Sequence, residues 1–85
     1  MEDRYTLNNY PHIIVDMGDG RAYKLDFRLL KESDVSISFQ IGFMAGLIDN
    51  PQSVNLEIGD VKAGFALGEK IRLKETDELP IWLKL

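Results

Sequence analysis

Alternation of apolar and polar residues with a period of two runs along most of this chain, and it constrains the fold more than any other feature. Successive side chains of a strand point to opposite faces, so the pattern marks strands with one buried face. The first instance is His12-Ile13-Ile14-Val15-Asp16-Met17, followed by Gly18-Asp19-Gly20 and then by Arg21-Ala22-Tyr23-Lys24-Leu25-Asp26-Phe27-Arg28-Leu29. Two alternating runs around a glycine-rich turn read as a hairpin. A two-residue loop at Asp19-Gly20 sets Val15 opposite Lys24 and Ile13 opposite Asp26, mixing apolar with charged side chains on one face. A three-residue loop, Gly18-Asp19-Gly20, instead sets Val15 opposite Tyr23 and Ile13 opposite Leu25, and uses Gly20 in the left-handed conformation of a bulged turn. The second register is the expected one, and it also places His12 opposite Asp26.

The alternation continues through Val35–Phe43, where every apolar member is β-branched or aromatic and serines fill the gaps, which predicts a central strand. Consecutive apolar residues at 43–48, ending at Asp49-Asn50-Pro51, suggest a helical turn or a bend. Val54–Ile58 predicts another strand, and Lys70–Lys74, with basic residues between apolar ones, a solvent-facing edge strand. Residues 61–68 fit two periods. Val61, Ala63, Phe65 and Leu67 alternate, whereas Val61, Phe65, Gly68 and Ile71 share one helix face. A strand is preferred, because two glycines inside a helix cost about 1 kcal/mol each relative to alanine. The chain closes on Leu79-Pro80-Ile81-Trp82-Leu83-Lys84-Leu85, an apolar run that reads as a docked strand. Gly-Phe-x-x-Gly occurs twice, at 42–46 and 64–68, and reads either as glycine bulges at two strand ends or as a small duplicated β-unit.

These elements predict a mainly β fold, a small barrel or sandwich of six or seven short strands with an N-terminal hairpin. The alternative is an α+β fold, with two short helices at about 39–49 and 60–72 on an antiparallel sheet. At 85 residues, 45% hydrophobic and 28% charged, the chain fits a single domain spanning 1–85. A domain this small buries only about 60–65% of the surface its unfolded chain exposes, so a partner subunit adds needed burial and a homo-oligomer is expected.

Composition removes several function classes. Without cysteine there is no disulfide scaffold, thiolate metal site or cysteine nucleophile. The polar, acidic start Met1–Thr6 lacks the basic and apolar regions of a secretory signal, so a cytoplasmic setting is expected. No run approaches the roughly 20 apolar residues that span a bilayer, and no membrane role is expected. The net charge of -4 is evenly spread, with five basic and seven acidic side chains in each of residues 1–42 and 43–85. Without a basic cluster to displace counterions, nucleic-acid binding is not expected.

Few residues offer chemistry. His12 is the single histidine, and its pairing with Asp26 is the relation in which a carboxylate orients an imidazole. Ser36 and Ser38 are the nearest candidate nucleophiles by element, but no nucleophile elbow surrounds them. The pair reads more simply as a cross-strand polar contact, and the chain is not expected to be an enzyme. Asp16-Met17-Gly18-Asp19-Gly20 lacks the ligand spacing of a calcium loop, and glycines 59, 64 and 68 lack the lysine and hydroxyl of a phosphate loop. No metal or cofactor is expected. Alternation at the C-terminus directs Ile81, Leu83 and Leu85 to one face and Trp82 and Lys84 to the other; if the first face is core, Trp82 reads either as an outward interface anchor or as part of a second core layer or a residue under a neighbouring loop. The acidic cluster Glu75-Thr76-Asp77-Glu78 reads more simply as a solvated loop, and otherwise offers Asp77 and Glu78 as a charged rim for a basic partner. The expected function is a non-catalytic protein-binding or assembly module, self-associating and contacting partners through Trp82, Lys84, Asp77 and Glu78. The alternative is a small acidic inhibitor, of the immunity type, that blocks a basic site on a partner protein.

Overall fold

The hairpin forms in the expected register. In the computed structural model, which describes residues 12–84, β1 (His12–Asp16) pairs antiparallel with β2 (Ala22–Asp26), with Val15 opposite Tyr23, Ile13 opposite Leu25 and His12 opposite Asp26. Both Gly18 (φ 81°) and Gly20 (φ 88°) take positive φ, which an L side chain rarely adopts, so the turn is built on glycine at two positions. Asp16 Oδ1 accepts from the Gly18 N–H at 2.9 Å, and the Asp19 carboxylate accepts from the Arg21 backbone and side chain, fixing the loop locally. β2 leads directly into α1 (Phe27–Glu32). A third strand, β3 (Leu83–Lys84), pairs antiparallel with β2, so the sheet order is β1-β2-β3.

The segment between them is helical. α2 (Ile37–Leu47) is followed by a short 3-10 turn at Pro51–Ser53 and then by α3 (Gly59–Arg72). The chain divides into two compact units: one covers the residues up to Asp34 and from Pro80 onward, the other Val35–Leu79. Helix accounts for about 47% and strand for about 16% of the described residues, so the fold is a small α+β arrangement with an open three-stranded sheet. The expected barrel or sandwich, and with it the β-rich character, is overturned. In the element types it places at 39–49 and 60–72, the alternative reading is the nearer one.

The physical reason lies in the repeated Gly-Phe-x-x-Gly. Gly42 and Gly46 of α2 and Gly64 and Gly68 of α3 all lie at one seam. A Cβ built on Gly42 falls inside contact distance of the Val61 carbonyl, and one on Gly64 falls equally close to the Phe39 carbonyl. Likewise Gly46 meets the Phe65 carbonyl and Gly68 the Phe43 carbonyl. Each contact maps onto another by adding 22 residues to one helix and subtracting 22 from the other, so the helices are related by a local two-fold. Small residues four apart let two helix backbones approach closely. The two helices run parallel. Ser36, the N-cap of α2, donates to Asp60 Oδ2 in the first turn of α3 at 2.9 Å, and Arg72 Nε at the end of α3 donates to the Gly46 carbonyl at 3.0 Å. Parallel neighbours bring like dipole ends together, and the Arg72 cation sits where both helices present their negative ends. The glycine cost that argued against a helix at 61–68 is thus offset by an approach that no larger residue permits.

Each predicted strand in this region is corrected. Val35–Phe43 is largely α2, Val61–Leu67 lies inside α3, and Lys70–Lys74 is the end of α3 and its following turn. Val54–Ile58 is irregular chain leading into α3. α2 and α3 end alike. Asn50 N–H bonds the Ala45 carbonyl at 2.9 Å and Glu75 N–H the Lys70 carbonyl at 2.8 Å, while Asp49 (φ 56°) and Lys74 (φ 61°) take the left-handed conformation usual for glycine there.

Candidate interaction surface

Side chains with chemical potential are drawn into local structure. Asp26 is buried and is the N-cap of α1: its Oδ1 accepts from Arg28 N at 2.9 Å and Leu29 N at 3.3 Å. Desolvation pushes its pKa up, but the backbone N–H groups of Leu29 and Arg28 and the Arg28 charge outweigh it, so the carboxyl is held below its ordinary value. His12 keeps its place opposite Asp26 in the ladder, yet the carboxylate serves the helix start, and no ion pair joins the two among the described residues. Ser36 Oγ accepts from Phe39 N at 3.1 Å as the cap of α2 while donating to Asp60. Ser38 lies in the first turn of the same helix. Among the described residues, no group of three or more His, Asp or Glu side chains is placed to hold a metal ion.

Of the two readings of Trp82, the structure shows the buried one, and the faces of the alternation are not kept. Trp82 is 4% exposed, whereas Ile81, assigned to the buried face, is 68% exposed. Alternation fails here because residues 81–82 form a turn, closed by a 2.9 Å bond from Leu83 N–H to the Pro80 carbonyl, and only residues 83–84 are extended. The Trp82 carbonyl accepts from Asp26 N–H at 2.8 Å, tying the turn to β2. Leu83 is buried opposite Leu25, Lys84 is exposed opposite Lys24, and Leu85 lies outside the described residues. Asp77 and Glu78 are exposed, in chain without regular structure.

A different surface emerges on α2. Phe39, Gly42, Phe43 and Gly46 face the seam, so by helical spacing Ile37, Ile41, Met44 and Ile48 lie on the opposite side. Ile37 is 73%, Ile41 50% and Ile48 53% exposed, with Met44 half-buried between them. These residues follow the i, i+4, i+7, i+11 spacing of an apolar stripe along one helix face. The stripe is uncharged from Val35 to Ile48, and the first charges beyond it are Asp34 and Asp49. Alternation hid it: in Ile37, Phe39, Ile41 and Phe43 the two faces of a helix that is apolar all round mimic one face of a strand. Among the described residues, no helix is long and apolar enough to cross a membrane.

Compared with protein-family models, with curated proteins and with solved structures, the chain matches none.

Proposed function

We propose that this chain is a non-catalytic protein-binding module whose contact surface is the outer face of α2. One observation carries the reading: Ile37, Ile41 and Ile48 leave a continuous apolar stripe open to water on a helix whose other face is already filled. Commitment of Asp26 and Ser36 to helix caps supports the absence of a catalytic role. Charge selects the occupant. A second α2 laid on this face brings Asp34 or Asp49 onto another Asp34 or Asp49 in either direction, so the better partner is an apolar helix of another protein with basic residues at its ends.

The test places a photo-crosslinking residue at position 41, and separately at position 66 on the outer face of α3, in cells that produce the chain. One defined crosslinked protein from position 41, absent from position 66 and lost on Ile37→Lys, supports the reading. Equal labelling from both positions, labelling of a second copy of the chain, or none from position 41 overturns it.

A further inference from the structure

We propose that two copies of this chain pair antiparallel through the outer edge of β1, about a two-fold axis at Ile14, to join their sheets. This does not rest on the α2 surface.

Among the described residues, the sheet order β1-β2-β3 leaves two edges, and they are unlike. The β3 edge is two residues long and carries Lys84, a short and charged edge of the kind that resists pairing. The β1 edge is five residues long, His-Ile-Ile-Val-Asp, with no lysine and no proline. Its backbone direction follows from two bonds. Met17 N–H bonds the Arg21 carbonyl at 3.0 Å, and inward and outward groups alternate along an antiparallel strand, so Val15 and Ile13 also face β2. Asp26 N–H is directed at the Trp82 carbonyl, away from β1, which makes the His12–Asp26 pair a non-hydrogen-bonded one in the same pattern. The N–H and C=O groups of His12, Ile14 and Asp16 therefore point out from the sheet edge.

A two-fold at Ile14 brings those three residues together as Ile14 with Ile14, His12 with Asp16 and Asp16 with His12. Every outward group then has a partner, for about six interchain hydrogen bonds. Side chains match as well. Ile14, 59% exposed, meets its own copy, and Ile13, 36% exposed, meets Val15. The imidazole of His12 lies across from the Asp16 carboxylate, whose Oδ1 holds the Gly18 N–H and whose Oδ2 remains to accept from it. Shifting the axis to Ile13 or Val15 sets Ile14 against His12 or Asp16 and loses this match.

The test is solution mass by sedimentation across a wide concentration range, with amide hydrogen exchange at Ile14 and Asp16. The proposal expects a two-copy species in which both amides gain protection as concentration rises. Asp16→Lys sets lysine against His12 twice and weakens the dimer about tenfold, because each cross-strand charge pair changes by a fraction of the energy of tenfold binding. The double variant H12E/D16K restores the match and recovers most of the affinity, which a merely structural loss at position 16 does not allow. Ile41→Lys leaves the dimer intact, so failure of the α2 reading stays separate. A monomer at every concentration, a dimer indifferent to Asp16→Lys, or a dimer lost on Ile41→Lys instead, overturns the proposal.

Discussion

α2 and α3 share a seam and differ in everything that faces away from it. Across the seam they are near copies: glycine meets a carbonyl at Gly42, Gly46, Gly64 and Gly68, in pairs 22 residues apart. On the outside, α3 presents Lys62, Ala63, Ala66 and Lys70, all exposed, as an ordinary solvated face. α2 presents Ile37, Ile41, Met44 and Ile48. A local two-fold that holds for backbone approach and fails for the outer surface teaches that the seam answers to packing alone. The outer faces answer to what each helix meets: water for α3, and on the present proposal a partner for α2.

The largest test of this comparison is to fill the seam. Gly42→Ala and Gly64→Ala each place a Cβ against a backbone carbonyl that cannot retreat without parting the helices. Each is expected to cost about 3 kcal/mol in denaturant unfolding, despite alanine's better helix propensity. The two losses should be equal within about 0.5 kcal/mol if the two-fold is real. Gly46→Ala and Gly68→Ala, somewhat less crowded, should cost less and again match each other; unequal losses within either pair would break the symmetry.

The helix starts come next. Ser36→Ala removes the cap of α2 and the bond to Asp60, and should cost about 1 kcal/mol in thermal or chemical unfolding. α3 has no side-chain cap, so no single substitution at Ile58 has a matching effect. Asp26, the cap of α1, adds a contrast in pH. Its folded pKa is depressed, so its stabilisation is present above the ordinary carboxyl value of 3.8 and is lost as pH falls through the lower folded value. An unfolding series in acid should show that loss in the wild type and in Ser36→Ala, and lack it in Asp26→Asn.

At the helix ends the expected effects are gains. Lys74→Gly relieves a left-handed lysine and should stabilise by up to about 1 kcal/mol. Asp49→Gly relieves the same strain in α2 but gives up the Asp49–Arg72 ion pair at 3.4 Å, so its gain should be smaller. Equal gains would mean that Arg72 takes nothing from Asp49. The smallest effect is expected at the outer faces. Ile41→Lys should change stability by less than about 0.5 kcal/mol, as a surface substitution does, while abolishing the crosslink from the α2 face. A large loss of stability instead would show that the stripe is covered within the chain itself.

The hairpin was legible residue by residue. Val15 with Tyr23, Ile13 with Leu25, and a glycine turn specify their register because a slip of one residue puts charge on the apolar face. The stop at Asp49-Asn50-Pro51 and the Gly-Phe-x-x-Gly repeat were also visible, the second without its meaning. The helices were not. Period two at 35–43 arose from a helix apolar on both sides, and glycines at 64 and 68 count against a helix unless another helix lies against them. The candidate surface shared that fate, since Ile37, Ile41, Met44 and Ile48 form a stripe only once the segment is helical. Alternation left Trp82 open between an outward and a buried place, and the turn at Pro80–Trp82 decided it. Local pattern therefore determined the elements whose partners lie a few residues away, as in β1 and β2. Tertiary structure alone decided α2 and α3, because the gain from two glycine faces in contact belongs to neither segment until the other is in place.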